Sequence, residues 1–232
     1  MKITKVDNAG LDKIPVGGCC EINCLHIVIK DFRPIVEEFE KYISDTSWIS
    51  ALDELSQKTF KATTQKTIDK IVNEIIAKIS SDVNTDIGEF IISYAAQQAL
   101  EIEHSHTLIP LAELLKEKIS GNPGFDYHSV SKNSYLVFGE AKFSLDSTPR
   151  ALALEQIVRF IGDRDNSELL WLQPFLDDNT KKNVIDDKKG YAAAFSHNNA
   201  NIITTLNNAL DSDPVKEIIK FNELYLIAVE LC

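Results

Sequence analysis

Residues 86–101 constrain the fold of this chain more than any other segment, because they have a helical pattern and are apolar nearly all the way round. A helix without a polar face cannot lie at a surface, so it must be buried on more than one side. Asn84, Thr85 and Asp86 stand at its start, and residues of these types cap helix N-termini. The segment therefore predicts a layered fold with this helix inside it.

Several shorter segments predict a sheet for this helix to pack against. Residues 21–29 alternate in polarity as a strand does, and residues 224–229 form a short apolar run typical of a strand buried on both faces. Residues 125–130 and 135–143 flank the polar sequence from Ser131 to Ser134, a pattern that predicts a hairpin.

Further periodic segments predict helices at 32–43, 48–55, 68–79, 108–119 and 150–161, and a loop with a short helix over 177–200. The fold class expected from this order is α/β (α+β), a mixed central sheet with flanking helices.

The charge of the chain opposes non-specific attraction to a phosphate backbone. It has 24 Lys and Arg against 35 Asp and Glu, a formal net charge of −11 over 232 residues. Nucleic-acid binding normally needs clustered positive charge, unless a local groove, a bound divalent cation or a basic partner reverses the field. We also find no apolar run long enough to span a bilayer and no secretory signal, so we expect a cytoplasmic protein without a membrane partner.

Three cysteines, Cys19, Cys20 and Cys24, lie close to His26 and could suggest a metal site. Zinc ligands usually come as two spaced pairs, and no second pair follows at a matching spacing. We therefore favour the alternative that Cys24 is a small core residue of the strand.

The residues that indicate chemistry lie in the hairpin. Glu140 and Lys142 interrupt an apolar strand and point to the same face, because strand side chains alternate with period two. With a three-residue loop, Asp126 on the partner strand would face Glu140. With a two-residue turn it would pair with Gly139 and point away, unless a bulge corrected the register.

Two carboxylates and a lysine on one face are the groups that metal-assisted phosphodiester hydrolysis needs. Carboxylate oxygens bind Mg²⁺, and the bound ion polarises the scissile phosphate and lowers the pKa of a water molecule. A lysine can orient that water or stabilise the developing charge.

The motifs Gly124-Phe125-Asp126-x-His128 and Gly139-Glu140-x-Lys142 resemble those of the restriction-endonuclease-like superfamily of PD-(D/E)xK nucleases. They are most similar to the nuclease subunit of the Hachiman anti-phage defence system, over roughly residues 85–162. This resemblance implies a restriction-endonuclease-like core and Mg²⁺-dependent DNA cleavage, with Mn²⁺ as an alternative ion. It also implies that Asp126 and Glu140 are metal ligands and that Lys142 is the catalytic lysine.

A glutamate on the preceding helix often completes such sites, and Glu89 is the best candidate here, as a third metal ligand. Glu101 and Glu103 are its rivals, and an ordinary surface glutamate is the alternative. Gln156, on the helix that follows the motif, would have a supporting role. His128 shares the face of Asp126 and would contact the phosphate or a metal ligand, although packing against a neighbour is the simpler interpretation.

We expect residues 1–80 to form a family-specific N-terminal section with a strand and helices, and residues 81–232 to form the nuclease-like core. The resemblance implies an endonuclease that is the effector subunit of an anti-phage system and acts on DNA together with a helicase. A different class is an acidic interaction protein, such as an immunity protein or a nucleic-acid mimic, in which Glu140 and Lys142 form a structural ion pair. A degenerate nuclease fold retained for binding is a third alternative.

Overall fold

The computed structural model describes residues 1–15, 18–76, 85–116, 124–144, 148–198 and 201–231. The strands are β1 Lys2–Lys5, β2 Glu21–Ile29, β3 Thr107–Ile109, β4 Tyr127–Val130, β5 Leu136–Lys142, β6 Lys189–His197 and β7 Glu223–Leu231. The α-helices are α1 Phe32–Ser44, α2 Glu54–Lys70, α3 Thr85–His104, α4 Ala112–Leu115, α5 Pro149–Phe160, α6 Arg164–Leu172, α7 Asp178–Ile185, α8 Ile202–Leu210 and α9 Asp213–Ile218. Short 3-10 helices cover Asn8–Gly10, Ser47–Ala51 and Gln173–Phe175, and a π-helix covers Ile71–Ile75.

All the described strands belong to one mixed sheet, in the order β1-β2-β7-β6-β5-β4-β3. The four central strands β2, β7, β6 and β5 run parallel to one another. The edge strand β1 is antiparallel to β2, and β4 is antiparallel to both β5 and β3. The fold is therefore α+β with a mixed central sheet and flanking helices, as the sequence predicted.

Each face of the sheet has its own hydrophobic core. One core joins α1, α3 and the π-helix to alternate residues of β2, β5, β6 and β7. The other core joins α5, α8 and α9 to the intervening residues of the same strands. Helix α3 contacts both α1 and the sheet, so the predicted burial on more than one side is confirmed.

Two sequence predictions were wrong. Residues 108–119 do not form one helix, since β3 and α4 divide the part of this segment that is described. Pro110 explains the division, because a residue that precedes proline is biased towards extended backbone. Residues 117–119 lie outside the described residues.

The predicted loop with a short helix over 177–200 does contain a short helix, α7, but its second half forms the central strand β6, in which every residue is buried. Ala192, Ala193 and Ala194 have low strand propensity, which hid the strand in the sequence. A parallel strand covered by helices on both faces is stabilised by packing rather than by propensity. Residues 199–200 lie outside the described residues.

The remaining segments agree with the sequence apart from their boundaries. The segment 48–55 is a 3-10 helix followed by the start of α2, and the periodic segment from residue 68 continues the end of α2 into the π-helix. Residues 77–79 lie outside the described residues, as does the predicted division at residue 80. Strands β1 and β2 belong to the same sheet as the other strands, and the division itself stays a prediction.

The cysteine-rich start of β2 is consistent with a core role for Cys24, which is 3% exposed. Burial raises the pKa of Cys20 and of Cys24 to about 12, so both thiols are protonated at neutral pH. Among the described helices, none combines the length and apolarity needed to cross a bilayer.

Candidate active site

Glu140 and Lys142 lie at the carboxyl end of β5, where the strand leaves the core. The Glu140 side chain is fully buried, whereas 18% of the Lys142 side chain is exposed. The Nζ atom of Lys142 donates a hydrogen bond to Oε1 of Glu140 at 2.6 Å and another to the carbonyl of Ala141 at 3.2 Å. The pair thus consists of a fully buried acid and a lysine that reaches the surface.

The hairpin has the three-residue loop, with Ser131 paired to Tyr135 through a backbone hydrogen bond of 2.9 Å. The regular pairing ends at Tyr127 and Gly139, so Asp126 is not a direct cross-strand partner of Glu140. Instead, the Asp126 N–H donates a hydrogen bond of 2.9 Å to the carbonyl of Gly139, which indicates a bulge.

This bulge keeps the carboxylate of Asp126 against β5. Its Oδ2 atom accepts a hydrogen bond of 2.7 Å from the N–H of Ala141. Asp126 is therefore bonded to Gly139 and to Ala141, the two residues that flank Glu140. Asp126, which precedes β4, is thus held beside Glu140 of β5.

Glu89 reaches the same place from helix α3. Its Oε1 atom is 3.7 Å from Nζ of Lys142, and 34% of its side chain is exposed. The preceding residue, Gly88, allows helix α3 to lie close to Phe143, because a Cβ atom at residue 88 would be 2.4 Å from the ring of Phe143. Its rival Glu103 pairs instead with Lys5 near the other end of α3, at 3.6 Å.

Burial and mutual repulsion perturb the titration of these groups. Burial, reinforced by the charge of Asp126, raises the pKa of Glu140 well above its ordinary value, and Lys142 only partly opposes this. Burial likewise raises the pKa of Glu89. Burial alone would lower the pKa of Lys142, but its attraction to Glu140 and Asp126 outweighs this and raises it, so the lysine is protonated at neutral pH.

The donor set suits a hard divalent cation. The Oε2 atom of Glu140 is buried and has no hydrogen-bond partner, which is costly for a carboxylate unless another group occupies its lone pairs. Carboxylate oxygens are the ligands that Mg²⁺ prefers. Within the described ranges, no three Asp, Glu, His or Cys side chains already stand as a ligand set around one point. Cation binding would therefore require some rearrangement of these side chains.

His128 and Gln156 are the two residues for which the sequence suggested supporting roles. His128 is fully buried, and its Nε2 atom is 2.8 Å from Oε2 of Glu168. Gln156 is half-buried on α5, the helix that packs on β5 and β6. The supporting roles suggested for these two residues stay predictions.

Sequence reasoning missed Glu168, which lies on α6 and is 4% exposed. The signal was present, because Asp165, Glu168 and Leu172 have the three- and four-residue spacing of one helix face, and all three are buried. Two acids on the buried face of a helix require buried partners.

Comparisons with known proteins give one family. The family model of HamA matches residues 7–227, nearly the whole chain. Searches of curated proteins and of solved structures found no match in either set. HamA is a component of the Hachiman anti-phage defence system. Because this match covers most of the sequence, the chain belongs to the HamA family.

Proposed function

We propose that this chain is a metal-dependent nuclease that hydrolyses phosphodiester bonds of DNA, and that it is the effector subunit of its Hachiman system. The observation that supports this most is the group of three acids and one lysine at the end of β5, where an oxygen of Glu140 is buried without a hydrogen-bond partner. Strongly perturbed pKa values in such a group are typical of functional sites.

The carboxylates of Asp126, Glu140 and Glu89 would hold Mg²⁺ or Mn²⁺ through oxygen. When bound, such an ion polarises a phosphate and makes a water molecule more acidic. Lys142 is charged and partly exposed, so its ammonium group can approach the phosphate from the solvent side and stabilise the negative charge that develops there. The backbone N–H of Ala141 fixes the direction of the Asp126 carboxylate.

A helicase partner would supply contact with DNA. With a net charge of −11, the isolated protein repels a phosphate backbone at long range. We therefore expect the isolated chain to bind DNA weakly at physiological salt. Nanomolar binding without a partner, measured by fluorescence anisotropy across a salt series, would contradict this part of the proposal.

Cleavage of plasmid DNA with Mg²⁺ tests the proposed chemistry, with and without the candidate helicase and with an RNA of the same sequence in parallel. We expect Lys142→Ala to reduce the cleavage rate by about 100-fold or more, because one preorganised group that stabilises developing charge commonly has this effect. Lys216→Ala is the matched control, since Lys216 is an exposed lysine that pairs with Asp213 at 2.7 Å. Equal rates for Lys142→Ala and Lys216→Ala would exclude Lys142 from the mechanism.

A binding protein with a degenerate nuclease fold is the second candidate, and the 2.6 Å bond between Lys142 and Glu140 favours it, because that bond could be purely structural. Calorimetric titration with Mn²⁺ distinguishes the two candidates without using activity. The nuclease proposal predicts a binding signal that Glu140→Ala abolishes. A degenerate fold without a metal site predicts no signal in either protein.

A further inference from the structure

Glu168 is a buried acid with a complete set of partners close to Asp126. Its Oε1 atom accepts hydrogen bonds from Nζ of Lys116 and, at 3.1 Å, from the N–H of Phe125. Its Oε2 atom is 2.8 Å from Nε2 of His128. Burial alone would raise the pKa of Glu168, but the hydrogen bond with His128 and the charge of Lys116 outweigh it and lower that pKa. The carboxylate is therefore ionised and fixed in place at neutral pH.

The partners of Glu168 lie on both sides of Asp126 in the sequence. Phe125 is the residue before Asp126, and His128 is two residues after it. The carboxylate also lies directly on the backbone of Gly124, where a Cβ atom would be 2.3 Å from Oε1. One side chain from α6 thus fixes the backbone that leads into β4.

The contacts of Asp126 itself depend on the position of that backbone. The N–H of Asp126 donates to Gly139, and its carbonyl accepts a bond of 3.1 Å from Ala112. Its Oδ2 atom accepts from the N–H of Ala141, one residue beyond Glu140. A shift of Phe125 would therefore move the carboxylate away from β5.

We propose that Glu168 is a positioning residue of the candidate active site: it holds the Gly124–Phe125 backbone so that the carboxylate of Asp126 stays against Ala141, beside Glu140. The relevance of this role to catalysis rests on the proposed nuclease function. Its physical content, the coupling of Glu168 to the hydrogen bond between Asp126 and Ala141, can be measured without any activity.

Asp165 provides a matched control on the same helix. It is 1% exposed, and its Oδ2 atom accepts hydrogen bonds from Lys189 at 2.8 Å and from the hydroxyl of Tyr191 at 2.7 Å. Glu168 and Asp165 are thus both buried acids of α6 paired with a lysine and a ring group. Their substitution by alanine should destabilise the fold by similar amounts, but only Glu168 contacts the segment around Asp126.

The experiment is hydrogen exchange of the Ala141 amide, measured by NMR and normalised to the Leu226 amide in the centre of the sheet. In Glu168→Ala we expect the normalised exchange of Ala141 to be about tenfold faster or more, since local opening removes its acceptor. In Asp165→Ala we expect the ratio to stay within about twofold of the unsubstituted chain. An unchanged ratio in Glu168→Ala, or equal changes in the two variants, would overturn the proposal.

Two further variants keep the test decisive if Glu168→Ala does not fold. Glu168→Gln retains an oxygen that can accept from Phe125, so it should keep the exchange of Ala141 close to that of the unsubstituted chain. Gly124→Ala keeps the acid but places a Cβ atom against it, so it should accelerate the exchange. Faster exchange of the Ala141 amide in Glu168→Gln than in Gly124→Ala would also overturn the proposal.

A calorimetric titration with Mn²⁺ then connects position with metal binding. We expect Glu168→Ala to raise the dissociation constant by about 10–100-fold, the usual effect of removing a group that orients a metal ligand, and Asp165→Ala to leave it unchanged. If the exchange result holds but the unsubstituted chain binds no Mn²⁺, the proposed function fails and the positioning role remains. If Mn²⁺ binds with the same affinity in both variants, the coupling of Glu168 to the metal site is wrong.

Discussion

Saturation of the candidate site with a divalent cation should raise the melting temperature of this chain by several degrees. Three acids, Asp126, Glu140 and Glu89, act electrostatically on the ammonium group of Lys142, and burial together with the charge of Asp126 raises the pKa of Glu140, so a bound cation would relieve the repulsion among these acids. A ligand that binds only the folded state contributes about 2.7 kcal/mol at one hundred times its dissociation constant. For a chain of this size about 1 kcal/mol corresponds to roughly 2–4 °C, so the expected increase is about 5–11 °C.

Thermal unfolding followed by circular dichroism measures this shift, with Mg²⁺ or Mn²⁺ compared against K⁺ at the same ionic strength. Glu140→Gln keeps the size of the central side chain but removes its charge, and we expect it to lose most of the shift. Glu217→Gln is the control, because Glu217 is an exposed acid paired with Lys220, and its shift should equal that of the unsubstituted chain. Equal shifts in Glu140→Gln and Glu217→Gln would refute the reasoning, since the cation would then bind elsewhere.

Two further predictions concern stability. Gly139→Ala would place a Cβ atom 2.2 Å from the buried ring of Tyr127, so we expect overpacking to lower the free energy of unfolding by about 1–3 kcal/mol, whereas Gly10→Ala, with its nearest atom 3.8 Å away, should be neutral. Urea denaturation checks both, and equal midpoints for the two variants would contradict the prediction. Burial lowers the pKa of His106 from 6.5 to about 3. Between pH 6.5 and pH 3 the unfolded chain therefore binds a proton at His106 that the folded chain does not bind. The free energy of unfolding consequently falls as the pH decreases through this range. This contribution is at most about 1.4 kcal/mol per pH unit. Urea denaturation at a series of pH values should show that the stability of His106→Gln depends less steeply on pH. An unchanged slope would rule out His106 as the source of the pH dependence.

The hairpin at the candidate site was largely predictable, because local rules govern it. The period of two puts Glu140 and Lys142 on one face, and a three-residue loop sets the register that ends at Tyr127 and Gly139. A bulge was considered only for a two-residue turn, whereas the structure combines the three-residue loop with a bulge at Asp126. It depends on the hydrogen bond from Ala141 and on contacts with α4 and α6, which the local sequence does not specify.

Strand β6 and residue Glu168 were not predicted, because tertiary contacts determine both. The alanines of β6 are buried by helices on the two faces of the sheet, and such packing outweighs their weak strand propensity. Glu168 resembles an ordinary helical acid in the sequence. Its role is visible only once α6 lies against the segment that contains Phe125 and His128.

The order of the strands has a consequence for how the sheet is assembled. Strand β7 lies between β2 and β6, and its contact between Glu230 and His26 joins residues 204 positions apart. Contacts at such sequence separation form slowly, since a long loop must close first. Without β7 the described sheet would be two incomplete half-sheets, with the edges of β2 and β6 unpaired. Within this sheet, β7 is therefore the strand that couples the N-terminal strands β1 and β2 to the candidate site on β5.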